Sequence, residues 1–239
     1  MNRVRTYISG FDELIEGGLI PNSTTLITGK TGTGKSSFCI SFIYYGAKNG
    51  EPGIYVLTEE TAKSIREESK TVFGFDLKEL EDQNLLKILA IKPEFPSQTS
   101  GIEEPKILKI YIYDLVDQIS ELVNKINAKR VVVDSVSILE LFVKDKYLGR
   151  IAIAYLINSL KELGVTSFLV GTIPESGEGL STLGIIEFLV DGIIKLEFVP
   201  IAEEFKRTLT IRKMRQVNHS TLIHPFEITR EGIKILEVT

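Results

Sequence analysis

A glycine-rich run between an apolar segment and a helical pattern constrains the fold of this chain more than any other feature. Residues 29–36 read GKTGTGKS and fit the pattern G-x-x-x-x-G-K-[ST] of a phosphate-binding P-loop. The β-rich segment 24–28 before the run predicts a strand, and the apolar spacing of residues 37–45 predicts a helix. An ordinary glycine turn before a helix is the alternative, but strand, loop and helix in this order favour the P-loop.

The predicted loop offers several kinds of contact to a bound nucleotide. Its glycines can adopt positive φ and bring backbone N–H groups close to an anion, and the helix start adds partial positive charge. Lys35 is predicted to reach the β- and γ-phosphates and Ser36 to ligate Mg²⁺, so the expected ligands are ATP and Mg²⁺. The predicted nucleotide-binding residues are Gly29, Thr31, Gly32, Thr33, Gly34, Lys35, Ser36 and Ser37.

Composition limits the number of domains and the compartment. A chain of 239 residues can bury a large core as one α/β unit, so we expect a single domain over residues 1–239. The net charge of −4 provides no global basic field for nucleic acid. A single cysteine, Cys39, suits a reducing compartment. Without a signal-length stretch at the start or a run of roughly 18 apolar residues, we expect a cytoplasmic protein with no membrane partner.

The rest of the chain alternates between strands and helices and then changes character. Strands are predicted at 54–58, 85–91, 130–134 and 166–172, helices at 61–72, 111–128 and 147–163, and a surface loop at 93–106. Short strands with turns between them are predicted at 193–198, 208–214, 226–229 and 233–236. The expected fold class is α/β, with a mostly parallel sheet flanked by helices and a C-terminal antiparallel extension.

A second acidic position supports a magnesium site. Asp134 ends the buried strand 130–134, at the carboxyl edge where open α/β sheets bind ligands. It is predicted to hold Mg²⁺ through water as the partner of Ser36, and the alternative is an aspartate that caps the next turn. Ser135 follows, whereas transporter-type ATPases carry a catalytic glutamate there, so that class is disfavoured.

Two adjacent glutamates are the candidates for the catalytic acid. Glu59 and Glu60 follow the strand 54–58, so we expect them at the same edge of the sheet, one strand from the P-loop. Hydrolysis needs a group that orients or deprotonates the attacking water. Mutual repulsion can raise the pKa of one member of the pair. The alternative is an acidic pair that stabilises a helix N-terminus.

Segments outside the P-loop match the pattern of a known family. They are Ser9–Leu14 with 17–19, Thr58–Thr61, Val133–Val136, and Arg207–Arg215 followed by His219 and Pro225–Phe226. Over nearly its whole length the chain therefore resembles the KaiC branch of the RecA-like P-loop ATPases, which includes single-domain archaeal RadA/KaiC paralogues. The resemblance implies a RecA-like sheet, catalytic Glu59 and Glu60, and Asp134 on the magnesium-site strand.

The resemblance also implies contacts between subunits. The residues that match Lys213 and Arg215 reach the γ-phosphate of a neighbouring subunit, and the one that matches His219 lies near that nucleotide's ribose. The family has glycine after the arginine, where this chain has Gln216. Strand alternation alone predicts that Lys213 and Arg215 lie on one face. That pattern fits an arginine finger and a solvated basic strand equally well.

One departure from the family concerns phosphorylation. The phosphorylating half of the family's two-domain clock protein carries a Ser-Thr acceptor pair just before an aspartate. Aligned on Asp191, this chain has Glu187 and Phe188 there, while Ser181 and Thr182 lie upstream and out of register. We therefore expect ATP hydrolysis rather than autokinase activity.

These observations leave three hypotheses. The leading one is a ring-forming ATPase, a homohexamer with ATP at subunit boundaries and a regulatory role. The second is a recombinase paralogue in DNA repair, for which loops 139–150 and 173–184 would bind DNA. Acidic residues offset Lys144, Lys146 and Arg150 in the first loop, and the second has no Lys or Arg, so nucleic acid is weakly supported. The third is a nucleotide-dependent scaffold with negligible turnover.

Overall fold

The structure, a computed structural model, describes residues 2–91, 104–137, 139, 146–177, 179–181, 184–201 and 203–237. The strands are β1 (Thr24–Gly29), β2 (Gly53–Leu57), β3 (Leu86–Ala90), β4 (Arg130–Asp134), β5 (Thr166–Thr172), β6 (Gly192–Ile201), β7 (Glu204–Met214), β8 (His224–Thr229) and β9 (Gly232–Ile235). The helices are α1 (Lys35–Lys48), α2 (Ala62–Phe73), α3 (Leu77–Asp82), α4 (Glu104–Ile126), α5 (Lys146–Glu162) and α6 (Ile186–Leu189), after a 3₁₀ helix at Asp12–Ile15.

The described strands form one sheet in the order β3-β2-β4-β5-β1-β6-β7-β8-β9. Strands β1 to β6 pair in parallel, and β7, β8 and β9 continue the sheet antiparallel. The predicted α/β fold with a C-terminal antiparallel extension is therefore confirmed.

Some predicted boundaries are corrected. Helix α4 begins at Glu104 rather than at residue 111, so the end of the predicted loop 93–106 is helical. Pro105 is compatible with this because the first turn of a helix needs no backbone N–H donor. Residues 93–103 of that loop lie outside the described residues. The short helices α3 and α6 were not predicted, because each is too short to show a helical period.

The core has one layer on each face of the sheet. On one face, α1 packs through Phe38 and Phe42, and the Phe42 ring stacks on Phe168 of β5 at 4.1 Å between centroids. On the other face, α4 and α5 bury the alternate residues of β2 and β4. The aromatic residues of α1 anchor the helix to the sheet. This packing fixes the N-terminus of α1, and therefore the P-loop, relative to β1.

A buried arginine also holds α1 against the sheet. The guanidinium of Arg130, at the start of β4, is inaccessible to solvent and pairs with Glu51 at 2.6 Å. It also donates to the carbonyls of Phe42 at 2.9 Å and Arg5 at 2.6 Å. Gly46 of α1 faces the guanidinium, and an added Cβ would overlap it. The absence of a side chain at Gly46 therefore allows the arginine to connect α1, β4 and the N-terminal segment.

Replacing Gly46 by alanine tests this arrangement. In a helix with free space the change would stabilise by about 1 kcal/mol. Here the overlap with Arg130 should make Gly46→Ala lower the free energy of unfolding by about 1–3 kcal/mol, measured by chemical denaturation. In an Arg130→Met background the penalty should shrink. A stabilising Gly46→Ala substitution would contradict this account of the packing.

Candidate nucleotide-binding site

The P-loop connects β1 to α1 through residues in left-handed conformations. Gly32 has φ 78° and Gly34, the residue before α1, has φ 103°. A Cβ on Gly34 would lie 3.3 Å from Ile228 and 3.6 Å from Phe226, so β8 packs closely beneath the loop. A Cβ on Gly29 would overlap the carbonyl of Leu196 on β6. The loop therefore requires glycine for its conformation and for its close approach to neighbouring strands.

Lys35 lies inside the curve of the loop. Its ammonium donates to the carbonyls of Gly29 at 2.9 Å and Lys30 at 2.8 Å, and the residue is only 9% exposed. Burial lowers the pKa of Lys35, and the negative charge of Asp134 acts in the opposite direction. The loop carbonyls thus hold a buried cation at the centre of the predicted phosphate cradle.

Ser36 and Asp134 meet at the start of α1. The side chain of Ser36 hydrogen-bonds the Asp134 carboxylate, and the hydroxyl of Tyr55 donates to Oδ2 of Asp134 at 2.8 Å. Burial raises the pKa of Asp134, while these hydrogen bonds and the charge of Lys35 lower it. A hydroxyl and a carboxylate side by side at the start of a P-loop helix are hard oxygen donors, so this pair fits Mg²⁺.

The predicted distance between the glutamates and the P-loop strand was wrong. Strands β4 and β5 lie between β2 and β1, so Glu59 and Glu60 are three strand positions from the P-loop strand rather than one. The order of strands in the sheet differs from their order along the chain, and the sequence pattern carries no signal for that. The glutamates are instead next to Asp134, because β2 pairs directly with β4.

Hydrogen bonds join the turn after β2 to the end of β4. The Thr58 hydroxyl donates to the Ser135 carbonyl at 2.9 Å and accepts from the Ser135 N–H at 2.9 Å. The Ser135 hydroxyl then donates to Oε1 of Glu59 at 3.1 Å. These contacts fix Glu59 beside the predicted magnesium residues.

Glu60 differs from Glu59 in its electrostatic surroundings. Burial raises the pKa of Glu60, and the charges of Glu68, Asp134 and Glu59 raise it further, in that order. Burial is therefore a larger cause than the pairing of the two glutamates. Both residues precede Thr61, whose side chain accepts from Ser64 N–H and caps α2, so they lie outside the helix itself.

A cleft of about 450 Å³ lies beside the P-loop. The P-loop residues Lys30, Thr31 and Thr33 form one side, and β6 forms another through residues 195–198. Lys30 donates to the carbonyl of Glu175, which follows β5, at 2.7 Å. Phe198 also lines the cleft, and the Arg207 guanidinium lies over its ring, 4.9 Å from the ring centre. The sequence pattern does not single out Phe198, because one aromatic residue in a strand does not indicate a cleft.

Lys213 and Arg215 lie near the opposite edge of the sheet from the P-loop. Lys213 donates to the carbonyls of Val190 at 2.6 Å and Glu187 at 3.0 Å, and burial lowers its pKa. The exposed Arg215 guanidinium is 3.7 Å from Oδ1 of Asp191. His219 is partly buried, and its Nδ1 lies 2.9 Å from the Ser220 carbonyl.

The pairing of β7 explains this location. Met214 pairs with Gly192, which pairs with Thr25 near the start of β1, whereas the P-loop follows Gly29 at the end of β1. Thr25 and Gly29 are four residues apart on β1, which at roughly 3.3 Å per residue is about 13 Å along the strand. Lys213 and Arg215 therefore do not converge on the P-loop of their own chain.

The local path near Lys213 also differs from simple alternation. A bulge shifts the register, so that Ile193 pairs with Lys213 and Ile194 with Ile211. Strand β7 ends at Met214, and Arg215 follows directly, with its N–H donating to the Asp191 carbonyl at 2.9 Å. Gln216 has φ 59°, a left-handed conformation that glycine adopts without strain.

The segments considered for DNA and for phosphorylation are described only in part. Glu140, Lys144, Asp145, Glu178 and Thr182 lie outside the described residues. Lys146 and Arg150 are exposed in the first turns of α5. The buried Ser181 donates to Oε1 of Glu187 at 2.9 Å. In the described part of the chain, no helix has the length and apolar character needed to cross a membrane.

Comparison with known proteins identifies the family of this chain. A family model described as "ATPase: KaiC" matches residues 4–239. The chain is 37% identical to UPF0273 protein PF1931 of Pyrococcus furiosus, over 98% of this chain and 93% of that protein. It is 34% identical to the circadian clock oscillator protein KaiC of Rippkaea orientalis, over 98% of this chain but only 44% of that protein.

A solved structure supports the same assignment. The crystal structure of the KaiC-like protein PH0186 from Pyrococcus horikoshii matches with a TM-score of 0.84 and 37% sequence identity, and covers 99% of each chain. The fold and the P-loop site define a RecA-like P-loop ATPase domain. Within that class, the chain belongs to the KaiC family of ATPases.

Proposed function

We propose that this protein is a cytoplasmic Mg²⁺-dependent ATPase that forms a ring, a homohexamer, with ATP bound between adjacent subunits. The observation that carries the proposal is the separation of two sets of residues. The P-loop, Asp134 and the glutamates converge at one edge of the sheet, while Lys213 and Arg215 lie near the other. Each chain thus carries its nucleotide-binding residues and its candidate finger residues on different sides.

Such an arrangement favours closed assembly. When one edge of a subunit meets the opposite edge of the next, the interface is head-to-tail, and a suitable rotation closes it into a ring. Each boundary would then join the P-loop of one chain to Lys213, Arg215 and His219 of its neighbour. We also propose that the ATPase has a regulatory role, because all the residues identified in the site are candidates for binding or hydrolysing the nucleotide.

The residues of the site divide the chemistry among them. Lys35 would leave the loop carbonyls to contact the β- and γ-phosphates, and Ser36 and Asp134 would hold Mg²⁺. When bound, Mg²⁺ supplies positive charge that offsets the charge developing on the phosphates. Glu59, fixed by Ser135, would orient the attacking water. Glu60, whose pKa is raised by burial and by neighbouring carboxylates, would be the candidate for proton transfer.

A double substitution separates nucleotide binding from turnover. Changing Glu59 and Glu60 together to glutamine should preserve ATP binding, because the P-loop is unchanged, and should reduce phosphate release by at least roughly 100-fold. A matched control is the adjacent exposed pair Glu203 and Glu204, whose change to glutamine should leave both quantities unaltered. Undiminished hydrolysis in the Glu59/Glu60 double variant would remove these glutamates from the mechanism and leave the scaffold hypothesis.

Mixing two variants tests whether the finger residues act between subunits. An Arg215→Ala chain keeps its P-loop, a Lys35→Ala chain keeps its finger residues, and each alone should be inactive. Rings assembled from both should recover part of the ATPase activity, because some boundaries pair an intact P-loop with an intact finger. The control is Arg212→Ala, which alters an exposed arginine of β7 and should retain activity alone.

Co-assembly must be verified in the same mixture, for example by native mass spectrometry with one isotopically labelled variant. Mixed rings without ATPase activity would show that Arg215 does not act on the neighbouring site. Lys213 and Arg215 would then be a basic surface segment bound to its own chain.

A further inference from the structure

The hydroxyl of Tyr55 reaches the predicted magnesium residue from within the sheet. Tyr55 pairs in register with Val132 on β4, and Asp134 lies two residues further along on the same face. The Tyr55 ring is long enough to bridge this step, and its hydroxyl donates to Oδ2 of Asp134 at 2.8 Å. The tyrosine is fully buried, so solvent cannot replace this hydrogen bond.

The surroundings of the Tyr55 ring are otherwise apolar. It belongs to the core cluster between the sheet and α1, with Leu57 and Cys39, and Ile88 packs against that cluster. A phenylalanine would fill the same space, so packing alone does not require the hydroxyl. The hydroxyl adds a hydrogen-bond donor to the partly buried Asp134 carboxylate, and charged groups withdrawn from water are costly without such partners.

We propose that Tyr55 is a positioning residue that fixes the orientation of the Asp134 carboxylate for Mg²⁺. With Oδ2 held by the hydroxyl on the sheet side, rotation of the carboxylate is restricted beside Ser36. This rests on the proposed function, because it requires that Ser36 and Asp134 hold Mg²⁺ with a nucleotide. Loss of a hydrogen-bond partner behind a metal-binding side chain typically weakens metal binding by about 10–100-fold.

The experiment measures how much Mg²⁺ tightens nucleotide binding. The affinity for fluorescent ADP is determined in EDTA and in Mg²⁺, for the unaltered chain and for Tyr55→Phe. The affinity in EDTA should stay within about twofold because the P-loop is intact, while the gain from Mg²⁺ should fall by about tenfold. Tyr45→Phe is the control: it removes a hydroxyl that donates to the Glu231 carbonyl at 2.6 Å, away from Asp134, and should leave the gain unchanged.

The outcomes separate this inference from the proposed function. An unaltered chain with no Mg²⁺-dependent gain contradicts the proposed function itself. A gain that survives in Tyr55→Phe, or equal weakening in EDTA and in Mg²⁺, overturns the positioning role and leaves Tyr55 as a packing residue.

A second comparison guards against a folding defect. Asp134→Asn removes a proposed magnesium residue and should itself abolish most of the Mg²⁺-dependent gain, so in that background Tyr55→Phe should change the nucleotide affinity neither in EDTA nor in Mg²⁺. Weaker nucleotide binding caused by Tyr55→Phe in that background would show that the substitution acts other than through Asp134 and would overturn the proposal.

Discussion

The packing of α1 on the sheet is the interaction on which the rest of the site depends. A P-loop binds phosphate through backbone N–H groups, which must be held in place by the strand before them and the helix after them. Phe42 stacked on Phe168 and the buried Arg130 fix α1 against β4 and β5. The ordered start of α1 then puts Ser36 next to Asp134, which explains why two residues so distant in sequence meet.

A second constraint is the direction of the strands. Parallel strands β1, β2 and β4 end at one edge, so the P-loop, the glutamates and Asp134 gather there. Strand β7 runs the other way, so its end with Lys213 lies at the opposite edge. One chain therefore carries the P-loop residues at one edge of the sheet and Lys213 at the other. The proposed nucleotide site between subunits would use both of these edges.

Much of the fold and part of the candidate site were predictable from the sequence, because they depend on local patterns of residues. The P-loop, the strand that ends in Asp134 and the α/β class follow from short sequence signals, and the family resemblance is confirmed. The position of β2 three places from β1 was not predictable, because strand order is a property of the whole sheet. The bulge at Lys213 and the bond from Tyr55 to Asp134 also depend on pairing between distant strands, which periodicity does not report.

The mass of the particle in solution tests the shared nucleotide site most directly. Light scattering at one protein concentration, with EDTA alone and with ATP and Mg²⁺, would compare the unaltered chain with Lys35→Ala. A nucleotide that bridges subunits stabilises their assembly by mass action, so ATP and Mg²⁺ should shift the unaltered chain to a hexamer and leave Lys35→Ala unshifted. An unaltered chain that binds ATP and keeps the mass of a single subunit would contradict the account.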